Sequence, residues 1–146
     1  MNKNLFINYI CEINYPNSSA YSIHVLKMCD AFAEKNYKVN LFVPFSNKSF
    51  KKLTNDYNIK SKFSFIKIFR RKREINFFNR LLFSLEIIKK IDNININSLL
   101  ISRSVIFAIL ASLYQKKVIL EIHHKLSGLT KLVFYFLKYL GLLNNL

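Results

Sequence analysis

The sequence predicts an α/β domain: an open parallel sheet of about five strands, ordered 3-2-1-4-5, with helices on both faces. Three observations carry that expectation. Short apolar runs alternate along the chain with longer segments of helical period. Most of the runs are continuously apolar, as strands covered on both faces are. Parallel neighbours need right-handed crossovers, and the helical segments supply them. At 146 residues the chain suits one domain, spanning 1–146, with enough length to bury a core.

Taken in order, residues 5–10 (LFINYI) read as the first strand, opening into the polar stretch NYPNSS. Residues 20–36 have helical period, with Tyr21, Val25, Met28, Cys29 and Phe32 on one face and His24, Lys27, Asp30 and Glu34 towards the other. Ser18 or Ser19 is placed to cap that helix, because a hydroxyl oxygen there accepts a free first-turn N–H. Residues 37–45 (YKVNLFVPF) form a second strand stopped by Pro44, and 62–69 (KFSFIKIF) a third. The basic run RRKR (70–73) precedes an amphipathic helix, NFFNRLLFSLEIIKKI, with Phe78, Leu81, Leu82, Leu85 and Ile88 on one side. SLLIS (98–102) is a fourth strand, and 104–115 is apolar nearly all round, as a buried helix is. KVILEI (117–122) is a fifth strand, and LTKLVFYFLKYLGLL a closing helix.

Composition narrows the function classes. Lys+Arg number 23 against 8 Asp+Glu, a net charge of +15 that attracts phosphates, anionic headgroups or nucleic acid. Part of that excess is compositional, since the chain is crowded with Asn, Lys, Ile, Phe and Tyr and holds only two Gly and two Pro. Cys11 and Cys29 have neither metal spacing nor a disulfide framework, which fits a reducing cytosol. The opening residues contain too short an apolar run for a signal peptide and no small-residue cleavage site. The longest apolar stretches fall short of the ~20 residues that cross a bilayer. A cytoplasmic protein is expected, with a peripheral place on the inner face of the membrane left open.

In open parallel sheets ligands bind beyond the carboxyl ends of the strands. That rule selects NYPNSSA after the first strand, SRS (102–104) after the fourth and HHK (123–125) after the fifth. Neither GxGxxG nor GxxxxGK[ST] is present, so dinucleotide and P-loop readings have little support. Ser18 and Ser19 could receive a phosphate or act only as a cap. Arg103 is placed either as an anion clamp or as a solvated arginine. Glu121, read as mid-strand, needs a partner such as Arg103 or backbone donors, whether for a structural ion pair or for catalysis. His123 and His124 alternate to opposite sides, one towards the crevice and one towards solvent. Without further ligands nearby in sequence no metal is expected.

Two stretches are similar to a known family. INYPNSSAYSIHVLKMCDAFAEKNYKVNLFVP resembles the first βαβ unit of glycosyltransferase family 4, where a strand, a loop of small residues and a helix beginning around "hv" precede a second strand. LLISRSVIFAILASLYQKKVILEIHH resembles the later part of the same domain, where a "yxRs" segment leads through a helix to a strand ending "yExH". The resemblance implies a GT-B architecture of two Rossmann-like domains and transfer of a sugar, with retention, from a nucleotide-sugar to a glycan or lipid-linked acceptor. The nucleotide-sugar is a co-substrate, held mainly by the C-terminal domain with its glutamate pair, and no cofactor is implied. By the match of LEIH to "yExH", His123 carries over as the catalytic histidine and Glu121 as its companion, with His124 outside the pattern. Arg103 matches "yxRs" in binding acceptor or donor phosphate, and Ser18 and Ser19 stand where many members have glycines. The chain stops at Leu146 before any glutamate-pair motif, so the expectation is an acceptor-side half, inactive without a C-terminal half in trans.

The resemblance also implies contact of Arg70, Arg71, Lys72 and Arg73, beside adjacent aromatics, with an anionic membrane surface. Two other classes stand beside this reading. One is a basic nucleic-acid-binding module, although no RNP-like or helix-turn-helix signature is present and no specific nucleic acid is expected. The other is a stand-alone flavodoxin-like binding domain, for which the acidic phosphoacceptor cluster and the flavin-phosphate loop are missing.

Overall fold

A computed structural model of the protein describes residues 5–92, 98–122 and 128–143. Strands β1 (Phe6–Ile10), β2 (Lys38–Val43), β3 (Ser64–Lys67), β4 (Ser98–Ser102) and β5 (Val118–Leu120) form one parallel sheet in the order β3-β2-β1-β4-β5. This is the order the sequence predicts. Ile10 of β1 lies opposite both Phe42 and Ser102, so the carboxyl ends of the central strands finish nearly level. Everything that follows these strands in the chain therefore emerges along one edge.

Five helices complete the described fold: α1 (Ala20–Glu34), α2 (Phe50–Asp56), α3 (Phe77–Asp92), α4 (Val105–Leu113) and α5 (Gly128–Tyr139). Alternation along the strands splits the core in two. Ile7, Tyr9, Cys11, Val39, Leu41 and Val43 pack under α1 and α2, against Val25, Leu26, Cys29 and Leu53. Ile10, Phe42, Leu100 and Val118 pack on the other face against Phe83, Ile87 and Ile91 of α3 and Phe107 and Ala111 of α4. Helix α4 buries residues all round, as its composition predicts.

Four departures from the sequence reading have physical causes. Helix α2 is absent from that reading because its seven residues bury only Leu53 and so show no period. Its one local signal is Ser49, whose hydroxyl oxygen accepts from Lys52 N as an N-cap. In α3 the buried stripe is Phe83, Ile87, Ile88 and Ile91, while Phe78 is exposed. Arg80 meets Glu12, which lies beyond the end of β1, so the first turn of α3 stands past the sheet and has nothing to cover.

Asp30, expected on the polar face of α1, is buried. Its carboxylate accepts from Lys60 N at 3.2 Å and Ser61 N at 2.7 Å, and these backbone donors replace water. Last, β5 stops at Leu120, so Glu121 lies just past the strand and not inside it. With no further strand beyond β5 among the described residues, Ile119 is half exposed.

Burial also sets a chemical expectation. Cys11 has no solvent exposure, and burial pushes its thiol from the ordinary 9.0 up to about 12, with a bond from the Tyr21 hydroxyl pulling partly back. The unfolded chain releases that proton near pH 9 and the folded chain does not. Stability is therefore complete below pH 9 and falls as pH rises towards 12, by about 1.4 kcal/mol per pH unit for one thiol. Urea titrations between pH 8 and 10.5 on the native chain and on Cys11→Ala check this. The native chain loses more stability over that interval than the variant does.

Candidate functional site

The loop leaving β1 (11–19), the residues after β4 and those after β5 share the carboxyl edge. Between β1 and β4 the winding of the sheet reverses, which is where doubly wound folds open a crevice. Two polar networks stand there, one on each side of the sheet.

The first is centred on Glu121. Its backbone N–H donates to Ser102 O at 2.9 Å, which fixes the residue just beyond β5. Its parity with Ile119 turns the carboxylate to the α1 side. There Oε2 accepts from the Tyr9 hydroxyl at 2.5 Å, and Oε1 lies 3.1 Å from His24 Nε2. Arg103 Nε is 3.9 Å from Oε2. Burial, reinforced by the hydrogen bond and charge of Glu121, raises the Tyr9 phenol far above its usual range, so Tyr9 remains a protonated donor.

The Arg103 guanidinium stacks 4.0 Å over the Tyr21 ring, and its side chain is only 11% exposed. Its Nη1 is buried with no hydrogen-bond partner among the described residues. Tyr21 is itself packed against the buried cluster that contains Cys11, just past the end of β1. Burial, then Cys11, keeps the Tyr21 phenol protonated as well. The result is a carboxylate with several engaged donors, an imidazole beside it and a guanidinium with one donor to spare. Such a group can grip an oxyanion or a sugar hydroxyl, and a ring nitrogen of the imidazole can donate or accept according to its tautomer.

The second network lies on the α3 side. Glu12 is buried, and its Oε2 accepts from Arg80 Nε at 2.7 Å, with a second guanidinium nitrogen at 2.7 Å. Its Oε1 accepts from the Ser104 hydroxyl, and Ser104 also caps α4 by accepting from Phe107 N. Here β1, α3 and α4 are tied together by one carboxylate.

The remaining sequence-selected residues fall as follows. Ser19 is the N-cap of α1, accepting from Ser22 N, and Ser18 is exposed beside it. Glu121 and Arg103 are brought together. Arg70, Arg71, Lys72 and Arg73 form an exposed loop, with the Arg73 guanidinium 4.4 Å over Phe69 and with Ile75, Phe77 and Phe78 exposed next to it. His123 and its neighbour His124 lie outside the described residues. Tyr9, Tyr21 and His24 were missed by sequence reasoning. Their signal was the unpaired demand of Glu121 for donors, joined to the parity that places Tyr9 and the α1 face on its side of the sheet.

Among the described residues no group of three or more His, Cys, Asp or Glu could hold a metal ion, and no helix is long and apolar enough to cross a membrane. Comparison of the chain with protein-family models, with curated proteins and with solved structures finds no match.

Proposed function

We propose that the chain is the acceptor-side domain of a retaining glycosyltransferase. It holds a glycan or lipid-linked acceptor at the carboxyl edge of its sheet, while a second domain presents the nucleotide-sugar. The observation that carries this reading is the cluster of Tyr9, His24, Arg103 and Glu121 at the edge where α/β sheets place ligands. Arg103 and Glu121 are also the residues that the likeness to family 4 selects. In this reading Arg103 Nη1 donates to an acceptor or phosphate oxygen, and Tyr21 and Glu121 hold the guanidinium in place. By the same likeness His123, outside the described residues, is the catalytic histidine.

The fold alone supports other binding roles, so the test is ligand binding at named residues. The 15N-labelled chain is titrated with a panel of oligosaccharides and detergent-solubilised lipid-linked sugars. Members of the panel should shift the amide signals of Tyr21, His24, Arg103 and Glu121. A panel that leaves all four unmoved, beside tight and strongly salt-dependent binding of plain nucleic acid, overturns the reading in favour of the basic module.

The same reading includes a membrane contact. Arg70 and Arg71 supply charge, and exposed Phe77 and Phe78 supply shallow apolar insertion. The chain should co-sediment with vesicles containing anionic lipid and stay in the supernatant with neutral ones. An Arg70→Gln/Arg71→Gln variant should lose most of that binding. Co-sedimentation indifferent to lipid charge or to the substitutions removes the contact from the proposal.

A further inference from the structure

A second feature of the carboxyl edge is assigned no role by the Arg103–Glu121 cluster. Past the ends of β1 and β2, an open cleft of about 540 Å³ is lined by Asn14, Asn17, Asn47, Lys72, Arg73 and the edge of Tyr15, among others. Its walls are fixed. Tyr15 N donates to Phe45 O at 2.8 Å and Asn47 N to Tyr15 O at 3.3 Å, which joins the loops after β1 and β2. Asn17 N accepts no freedom either, since it donates to the Tyr57 hydroxyl at 2.9 Å while that hydroxyl donates to Asn17 O at 2.7 Å. The basic loop is tied on by Asn14 Nδ2, which donates to Arg73 O at 3.1 Å.

The chemistry of the lining is specific. Carboxamides both donate and accept, as adjacent sugar hydroxyls do. Asn14 Oδ1 is buried with no hydrogen-bond partner among the described residues, an acceptor left for a hydroxyl donor. Lys72 and Arg73 add two cations against the one carboxylate among the lining residues, Glu74. A neutral ligand would leave those cations idle, and a bare anion would leave the amides idle.

We infer that this cleft binds an acidic sugar, with its hydroxyls on the asparagines and its phosphate or carboxylate group on Lys72 and Arg73. The inference rests on the acceptor-side reading for the sugar and on the cleft for the charge. The loop 11–19 both lines this cleft and leads into α1, whose Tyr21 carries the Arg103 guanidinium.

The experiment titrates the 15N-labelled chain at low salt with hexose 1-phosphates, hexuronates, the neutral hexoses and inorganic phosphate. At least one acidic sugar should shift the Asn14, Asn47 and Lys72 signals and bind about tenfold more tightly than its neutral hexose or phosphate alone. Lys72→Gln, an exposed change, should weaken that sugar about tenfold with an unaltered melting temperature. Asn47→Ala should weaken the sugar phosphate and leave inorganic phosphate unchanged. Neutral hexoses binding the cleft as tightly as their acidic forms overturn the inference and leave the acceptor-side reading standing. Acidic sugars that shift only the Arg103 cluster, or that bind both variants at full strength, overturn it equally. Failure of every acidic sugar to bind overturns the inference as well, while the acceptor-side reading is decided by the oligosaccharide and lipid-linked panel.

Discussion

Replacing Arg80 with alanine lowers the stability of the fold by about 3 kcal/mol or more, because it leaves a buried carboxylate without its cation. Glu12 has one oxygen on Arg80 and the other on the Ser104 hydroxyl, in a position that little water reaches. Arg80 is about a third exposed, which places the loss near the lower end of the range for buried pairs. Urea denaturation followed by circular dichroism measures it. The double variant Arg80→Ala/Glu12→Gln should recover part of the loss, since an amide costs less to bury than a bare charge. A loss under about 1 kcal/mol would mean that the pair behaves as a surface salt bridge and that the three elements are held by packing alone.

The sequence carried the sheet almost completely. Its parallel strands and covering helices follow from alternation and from the handedness of crossovers, which are local properties of chain and twist, and the order is a usual one for doubly wound sheets. The parts that were not legible depend on where an element stops relative to its neighbours. Nothing in NFFNRLLF says that the first turn of α3 overshoots the sheet, and without that fact Phe78 reads as core. Nothing in α1 says that a turn ahead of β3 will bring the N–H groups of Lys60 and Ser61 to Asp30.

The site was legible in half. Arg103 and Glu121 are charged groups in apolar surroundings, and such residues announce a need for partners. Tyr9 and Tyr21 announce nothing, since an aromatic residue in a strand or on a helix face is ordinary core. They become site residues only because the sheet sets Tyr9 beneath Glu121 and α1 sets Tyr21 beneath Arg103. His24 was placed on a polar face, and it is the meeting of α1 with the end of β5 that gives it a carboxylate.

Arg103→Ala should give the opposite outcome from Arg80→Ala: a loss of ligand with little loss of fold. Arg103 reaches Glu121 only at 3.9 Å, and that carboxylate keeps the Tyr9 hydroxyl and the His24 imidazole when the arginine is gone. The fold forfeits the stacking on Tyr21, about 2 kcal/mol for a guanidinium only 11% exposed, and it also loses a buried Nη1 that has no partner among the described residues. The two changes oppose each other, so the stability shift should stay near 1 kcal/mol. Binding differs because the spare donor is what a ligand oxygen would use. A charge-assisted hydrogen bond contributes about 1.5–3 kcal/mol, so the dissociation constant of an oligosaccharide or lipid-linked sugar found in the titration panel should rise roughly ten- to hundredfold. Arg103→Lys should not restore it, because an ammonium keeps the charge but neither stacks flat on Tyr21 nor presents a forked donor. Tyr21→Phe keeps the ring and should bind nearly as well, whereas Tyr21→Ala should follow Arg103→Ala. Calorimetry or the same NMR titration reads all four variants. Full-strength binding by Arg103→Ala in a folded protein would move the acceptor site off the β4–β5 end of the sheet.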